Sequence, residues 1–149
     1  MPRLNEEQQN SVRNSHAQAL RISAVASEFR QSLTRFIEQF GGHVGVALKA
    51  IDGLPEPGFG LTAGYTDFVV TFEHMQCNGE VVGAYRLYRH AYHPAEPKFT
   101  EFWNFAISLD GRASWSIGGP WEWKTGVGAD IAAFLFRVEH EYFEAIKIG

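Results

Sequence analysis

The sequence predicts an α+β fold: an N-terminal and a C-terminal helix cover one face of an antiparallel β-meander of about five or six strands. Two tetrapeptides, Cys77-Asn78-Gly79-Glu80 and Leu109-Asp110-Gly111-Arg112, each lie between runs rich in aromatic and β-branched residues. Asn-Gly and Asp-Gly accept the positive φ angles of a two-residue type I′ turn, so each tetrapeptide predicts an antiparallel hairpin of defined register. Helical patterns flank this region and do not alternate with strands, which excludes a parallel nucleotide-binding sheet.

Length and composition indicate a single domain over residues 1–149. Of the 149 residues, 45% are hydrophobic and 14% aromatic, and the net charge is −4. A negative charge argues against a nucleic-acid partner, for which the sequence offers only the basic face of Arg86, Arg89 and Lys98. No apolar stretch reaches 18 residues, the polar N-terminus lacks a signal-peptide pattern, and Cys77 is a single thiol. We therefore expect a cytoplasmic protein without a membrane span.

The first helix is predicted to run from a cap at Asn5 to Phe40. Two glutamates follow Asn5 where the helix dipole favours negative charge, and Gly41-Gly42 is predicted to end the helix. The apolar stripe consists of Ile22, Val25, Ala26, Phe29, Leu33, Phe36, Ile37 and Phe40. A helix of this length would measure about 54 Å, and its first half lacks a stripe. Residues 1–20 are therefore expected to fray, to break near Ser15-His16, or to project toward a partner.

The strands are expected to follow in chain order, with tight connections between most of them. The proline-containing segment Gly53–Gly58 is predicted to be a loop, and residues 93–97, with two further prolines, are predicted to separate the two hairpins. The predicted strands are Val44–Ile51, Tyr65–Cys77, Glu80–Tyr92, Phe99–Leu109, Arg112–Gly118 and a short last strand at Trp121–Trp123.

The C-terminal helix is predicted to begin with Asp130 as its capping residue. One apolar stripe contains Ile131, Phe134, Leu135, Val138, Tyr142, Ala145 and Ile146. Phe136 and Phe143 form a second stripe, and a helix that is apolar on two sides is expected to be buried on two sides. It would then lie between the sheet and either the first helix or another subunit.

The predicted turns assign side chains to the two faces of the sheet. In the first hairpin the helix-facing set is Phe68, Val70, Phe72, Tyr85 and Leu87, and the set facing solvent or a partner is Asp67, Thr71, Glu73, Arg86, Tyr88 and His90. In the second hairpin Trp103, Phe105, Ile107 and Leu109 share one face, while Phe102, Ala106, Trp115 and Ile117 share the other. Two apolar faces indicate either cover on both sides or a bulge that shifts the register.

The leading functional hypothesis is a small non-catalytic protein that binds a protein partner or forms a homo-oligomer. The surplus of apolar surface near the end of the sheet predicts an interface, unless the first helix or the Leu54–Leu61 loop covers it. The N-terminal helix is the other predicted contact region. The residues expected to contact a partner are Trp103, Trp115, Trp121, Trp123, Arg86 and Tyr88, because tryptophan and tyrosine contribute most at interfaces.

The alternative hypothesis is a small-molecule or enzymatic pocket between the sheet and the helices, lined by His74, Tyr85 and Trp115. The turn register places His74 opposite Gly83, where the missing side chain would leave space, and near Tyr85, which could orient the imidazole for acid–base chemistry. A hydrogen-bonded histidine at the rim of the sheet is the other interpretation of His74. No metal-ligand or cofactor motif is present, so neither a metal nor a cofactor is predicted.

Overall fold

The computed structural model describes residues 2–92 and 97–148 and confirms the α+β class. Each end of the described chain forms one long helix, and the strands lie between them. The elements are α1 (Glu6–Val44), β1 (Ala47–Lys49), β2 (Phe59–Thr62), β3 (Asp67–Cys77), β4 (Glu80–Tyr92), β5 (Pro97–Ile107), β6 (Arg112–Ser114), β7 (Trp121–Lys124) and α2 (Gly128–Ala145). Of the break predicted at residues 93–97, residues 93–96 lie outside the described residues, and Pro97 belongs to β5.

The sheet is an antiparallel meander whose strands lie side by side in chain order, from β1 to β7. Both helices pack on the same face, and the core fills the space between them and the sheet. Phe29 of α1 lies at its centre, with ring centroids 5.5 to 6.2 Å from five aromatic rings that approach it edge-on. Those rings belong to Phe59, Tyr85, Phe105, Trp123 and Phe134. One helical side chain therefore joins strands β2, β4, β5 and β7 to α2.

Helix α1 begins as predicted and ends later than predicted. The Asn5 side chain accepts a hydrogen bond from the Gln8 backbone N–H at 2.7 Å, and the Gln8 side chain accepts one from the Asn5 N–H at 2.9 Å. The expected stop at Gly41-Gly42 is wrong, because both glycines lie within the helix. The chain leaves the helix at Gly45, whose φ of 70° is left-handed and whose N–H bonds the Gly41 carbonyl.

The N-terminal part of α1 is one continuous helix without a break at Ser15-His16. The helix contacts the sheet at Ser15, whose hydroxyl accepts from the Gln76 side chain at 3.5 Å, and at Gln18, whose side chain accepts a hydrogen bond of 2.8 Å from the Val81 N–H at the start of β4. The helical turns before Ser15, residues 6–14, are exposed.

The β3–β4 hairpin has the predicted register. Asn78 and Gly79 have φ angles of 52° and 79°, as a type I′ turn requires, and Cys77 pairs with Glu80. The pairing continues to Phe68 opposite Arg89. Tyr85 consequently faces the helices and is fully buried.

The second hairpin has a different register from the predicted one. Ile107 pairs with Ala113, and the Ser108 N–H donates to the Arg112 carbonyl at 2.8 Å, so the turn is one residue longer than Asp110-Gly111 alone. Gly111 has a φ of 80°, whereas Asp110 keeps a negative φ. The Ser108 hydroxyl stabilises this turn, because it bonds the Asp110 carboxylate and accepts from the Arg112 N–H at 3.1 Å.

A shift of one residue moves a strand's side chains to the opposite face. Trp115, predicted on the reverse face, therefore stacks with Trp103 and Trp123 on the helix face, at centroid distances of 6.2 and 5.0 Å. A second irregularity, where β4 Leu87/Tyr88 pairs with β5, brings Phe102 against Phe68 at 5.4 Å on the helix face. The sequence left two explanations for the two apolar faces of the second hairpin: cover on both sides or a shifted register. The shifted register accounts for the positions of Trp115 and Phe102.

Within the described residues the meander has seven strands, instead of the five or six predicted. Several strand boundaries also differ from the predicted ones. The strand predicted at Val44–Ile51 contains only three residues, and β2 was missed. The β2 residue Gly60 lies so close to the Lys49 carbonyl that a Cβ would come within 2.5 Å of it. A short segment with a central glycine, such as β2, gives a weak strand pattern in the sequence. In the structure Gly60 permits the close pairing of β2 with β1. Strand β6 ends at Ser114, four residues before the predicted end.

Helix α2 differs from the prediction at its start. Val127 is the residue before the helix, and Asp130 lies in the first turn, where its carboxylate accepts from the Lys124 N–H at 2.8 Å. Phe136 and Phe143 are 55% and 50% exposed, so the first helix does not cover the second stripe of α2, and cover by another subunit stays a prediction. Neither helix is long and apolar enough to cross a membrane within the part of the chain that the structure describes.

Candidate functional site

The four tryptophans proposed as an interface do not form one surface. Trp103 and Trp123 are buried under α2, where both rings pack against Phe134. Their indole N–H groups donate to the carbonyls of Trp115 and Ser114, each at 2.9 Å. These two residues therefore belong to the core of their own chain.

The other two tryptophans are half-buried and lie apart. The Arg137 guanidinium from α2 lies 5.4 Å above the Trp115 ring, which is a cation–π distance. Trp121 lines a small cavity of about 220 Å³ together with Met75, Val82 and Ile117. The cavity also borders Ala106, which the register places on the reverse face of the sheet.

Arg86 and Tyr88 lie on the reverse face, as predicted, but the Arg86 charge is compensated within the sheet. Its guanidinium donates to Glu73 at 3.0 Å and to Glu101 at 3.1 Å. These bonds raise the pKa of Arg86, which is charged at every physiological pH in any case. Tyr88 is half-buried. One cation is shared by two carboxylates in this network, so Arg86 would contribute little attraction to an acidic partner.

His74 is a hydrogen-bonded histidine at the exposed rim of the helix-covered face. Its Nε2 lies 3.1 Å from the Ala19 carbonyl and 3.1 Å from the Ser23 hydroxyl, both on α1. Because a carbonyl oxygen only accepts, Nε2 carries the hydrogen in this arrangement. His74 pairs with Gly83 as predicted, but the predicted space is absent. A Cβ on Gly83 would lie 2.6 Å from the Phe72 ring and 2.9 Å from Ile107.

Tyr85 does not share a cavity with His74. The depression beside His74, of about 380 Å³, is lined by α1 and the β3–β4 hairpin and does not include Tyr85 or Trp115. Tyr85 lies inside the core, stacked on Phe105 at 4.6 Å. Its hydroxyl has no hydrogen-bond partner among the described residues, and burial raises its pKa well above the usual range. The three residues of the alternative hypothesis therefore do not converge.

An extensive apolar depression lies between the two helices, at the C-terminal end of α1 and the start of α2. We call it the α1–α2 groove, with a volume of about 670 Å³. Phe36 and Phe40, one turn apart on α1, have ring centroids 5.2 Å apart. Phe136 of α2 lines the groove as well, and Phe40 and Phe136 are 45% and 55% exposed. An aromatic surface of this kind on a protein usually marks a binding site.

The spacing of the lining residues makes the groove an elongated channel. The α1 residues in it recur every three or four positions from Ser32 to Val44, a length of about 18 Å at 1.5 Å per residue. On α2 the stripe continues beyond the groove from Phe136 to Phe143, seven residues and about two turns later. The sequence contained this signal in the second stripe of α2, but nothing in it showed that the end of α1 lies beside that stripe.

The charged side of the groove is positive. Arg35 and His43 line it, and no aspartate or glutamate is among the described residues that do so. Arg35 forms no ion pair with any carboxylate in residues 2–92 and 97–148. The first turn of α2, at Gly128 and Ala129, also borders the groove, but the Asp130 carboxylate in that turn offsets the partial positive charge of the helix N-terminus. The positive charge at the groove therefore comes from Arg35, although the chain is acidic overall.

Within the described residues, no group of three or more histidine, cysteine, aspartate and glutamate side chains could hold a metal ion. Comparisons of the chain with models of protein families, with curated proteins and with solved structures found no match.

Proposed function

We propose that this chain is a non-catalytic interaction protein that holds a helical segment of another protein in the α1–α2 groove. The observation that carries the proposal is the exposure of Phe40 and Phe136 along an apolar channel about 18 Å long. That length corresponds to about three turns of helix, and a helix presents apolar side chains at positions i, i+3 or i+4, and i+7 to such a channel. A cytoplasmic location is part of the proposal, supported by the single cysteine, Cys77.

The openness of the groove favours a helix over a small molecule. A small ligand is usually bound with about 70–90% of its surface removed from water. Here about half of the Phe40 and Phe136 side chains faces solvent, so a small ligand would stay largely hydrated. A helix buries one face and leaves the other in water, which suits a shallow channel.

The charge of the groove favours a different chain over a second copy. In a two-fold symmetric contact the same surface meets itself, so the positive groove would face a positive groove. The protruding turns of α1 offer a weaker contact region, because Leu4 and Val12 are the large apolar side chains there. We therefore assign the partner to the groove and treat self-association as an outcome to be measured.

The test is a selection of displayed helical peptides, about 18 residues long and with an apolar stripe, on the immobilised full-length protein. The selected peptides should bind the double variant Phe40→Ser/Phe136→Ser at least tenfold more weakly, because central aromatic residues contribute about 2 kcal/mol or more at interfaces. Phe143→Ser is the matched control, since Phe143 is equally exposed but lies outside the groove. It should retain wild-type affinity.

Two results would contradict the proposal. One is that no selected peptide distinguishes the double variant from Phe143→Ser. The other is a wild-type dimer, measured by light scattering at about 100 μM, that the double variant converts to a monomer. That second result would show that another copy of the chain covers the groove.

A further inference from the structure

We infer that the segment bound in the α1–α2 groove is an acidic amphipathic helix, with a carboxylate that pairs with Arg35. This inference rests on the proposed function and adds the chemistry of the partner. Its basis is the uncompensated Arg35 guanidinium at the edge of an apolar channel whose described lining residues include no carboxylate.

The other arginines near this part of the fold show why Arg35 differs. Arg30, five residues earlier on α1, donates to Glu56 at 2.9 Å. Arg137, on the neighbouring helix, donates to Glu141 at 2.7 Å and also lies over Trp115. Both cations are compensated within the chain, whereas Arg35 is exposed and lines the groove. Its charge is therefore available to a ligand.

A second group of the groove can bind a carboxylate. The imidazole of His43 lies eight residues after Arg35, about 12 Å along the same helix, and offers a second hydrogen-bond donor. A partner helix with apolar residues on one face and carboxylates along its edge would fit the channel, Arg35 and His43.

Complementary charge at an interface determines which partner is accepted and speeds association more than it raises affinity. The pair with Arg35 would lie at the solvent-exposed edge, where salt screens it. We therefore expect a moderate effect, about three- to tenfold in affinity, that decreases as the salt concentration rises. The apolar channel would supply the larger part of the binding.

The experiment uses the peptides selected on the full-length protein, with glutamine, glutamate, lysine, alanine and serine allowed at the positions that flank the apolar stripe. Glutamate should be enriched there among peptides whose binding requires Phe40 and Phe136. For the tightest peptide, Glu→Gln substitution should weaken binding to the wild type about three- to tenfold. It should change binding to Arg35→Gln by less than about twofold, because the pair is already lost.

Arg13→Gln is the matched charge control. Arg13 lies on the same helix, about 33 Å from Arg35 by helical rise, which is several Debye lengths at physiological salt. It bonds the Asn10 side chain within α1. This variant has the same net charge as Arg35→Gln and should respond to the Glu→Gln peptide as the wild type does.

The outcomes separate the inference from the proposed function. Peptides that need Phe40 and Phe136 but show no preference for glutamate, or the same Glu→Gln effect on Arg35→Gln as on the wild type, would overturn the inference alone. Peptides that bind without needing the groove would overturn the proposed function and the inference with it.

Discussion

Replacement of Tyr85 by phenylalanine is expected to stabilise the protein, although most substitutions in a core destabilise it. The Tyr85 side chain is fully buried, and its hydroxyl has no protein partner among the described residues. Such a group loses its hydrogen bonds to water on folding and gains none in return. Phenylalanine keeps the ring and its stacking on Phe105 at 4.6 Å but removes the polar atom.

The expected gain follows from the desolvation of one hydroxyl group. Burial of an unpaired hydroxyl costs about 1–3 kcal/mol in mutational series, and that cost should be recovered in Tyr85→Phe. With a urea dependence of about 2 kcal/mol/M, the unfolding midpoint should rise by about 0.5–1.5 M. The loss of one oxygen atom from a ring that is packed on both faces leaves too little room for a costly cavity.

The assay is urea denaturation followed by far-ultraviolet circular dichroism, with Tyr65→Phe as the matched control. Tyr65 is 53% exposed and donates a hydrogen bond to Glu139 at 2.8 Å, so its substitution should lower stability by about 1 kcal/mol or less. A lower midpoint for Tyr85→Phe would refute the reasoning, because it would show that the hydroxyl is hydrogen-bonded in the folded protein. That result would also restore Tyr85 as a candidate for chemistry.

Three other substitutions test the packing, the helix cap and the electrostatics. Gly83→Ala should lower the free energy of unfolding by about 1–3 kcal/mol, because the added methyl group would overpack against Phe72 and Ile107. Gly42→Ala, in an open part of α1, should be neutral or slightly stabilising in urea denaturation. Asn5→Ala should speed amide hydrogen exchange in the first turns of α1, because it removes a helix cap worth about 0.5–2 kcal/mol. The urea midpoint of global unfolding should stay unchanged. The hydrogen bond from Lys49 holds the pKa of Asp67 below its ordinary value of 3.8. The stability that this bond contributes is therefore present above pH 3.8 and is lost as the pH falls through the lowered pKa. Urea midpoints at pH 5 and pH 3 should therefore differ less for Asp67→Asn than for the wild type.

The two predicted turns show how far local sequence determined the fold. Asn78 and Gly79 both adopt positive φ, and the type I′ turn fixed ten residue pairs of the β3–β4 hairpin correctly. At Asp110-Gly111 the same dipeptide chemistry gave the wrong register, because the Ser108 side chain stabilises a longer turn. Serine and aspartate side chains often compete in this way for backbone groups. Ser108, three residues before Gly111, was visible in the sequence, but whether its hydroxyl can bond the turn depends on the geometry of the turn.

The candidate site was less predictable than the fold. The sequence showed that Phe136 lies on a second apolar stripe, and that Phe36 and Phe40 lie one turn apart on α1. The position where these stripes meet depends on the end of α1 at Gly45, and the glycine pair at Gly41-Gly42 suggested an earlier end. The tryptophans were predicted to form an interface because the register shift that places Trp115 beside Trp103 on the helix face cannot be inferred from spacing alone.

The stacked indoles of Trp103, Trp115 and Trp123 give the molecule an internal optical reporter. Neighbouring ring centroids in this cluster lie 5.0 and 6.2 Å apart, close enough for their excited states to couple. Exciton bands in the ultraviolet dichroism spectrum should therefore accompany the native state and vanish when the end of the sheet that carries the three rings unfolds. Arg137 of α2 lies over the Trp115 ring, so its removal should alter the emission of the cluster while the secondary structure stays intact. The native packing at this end of the sheet can thus be followed in solution without an added dye.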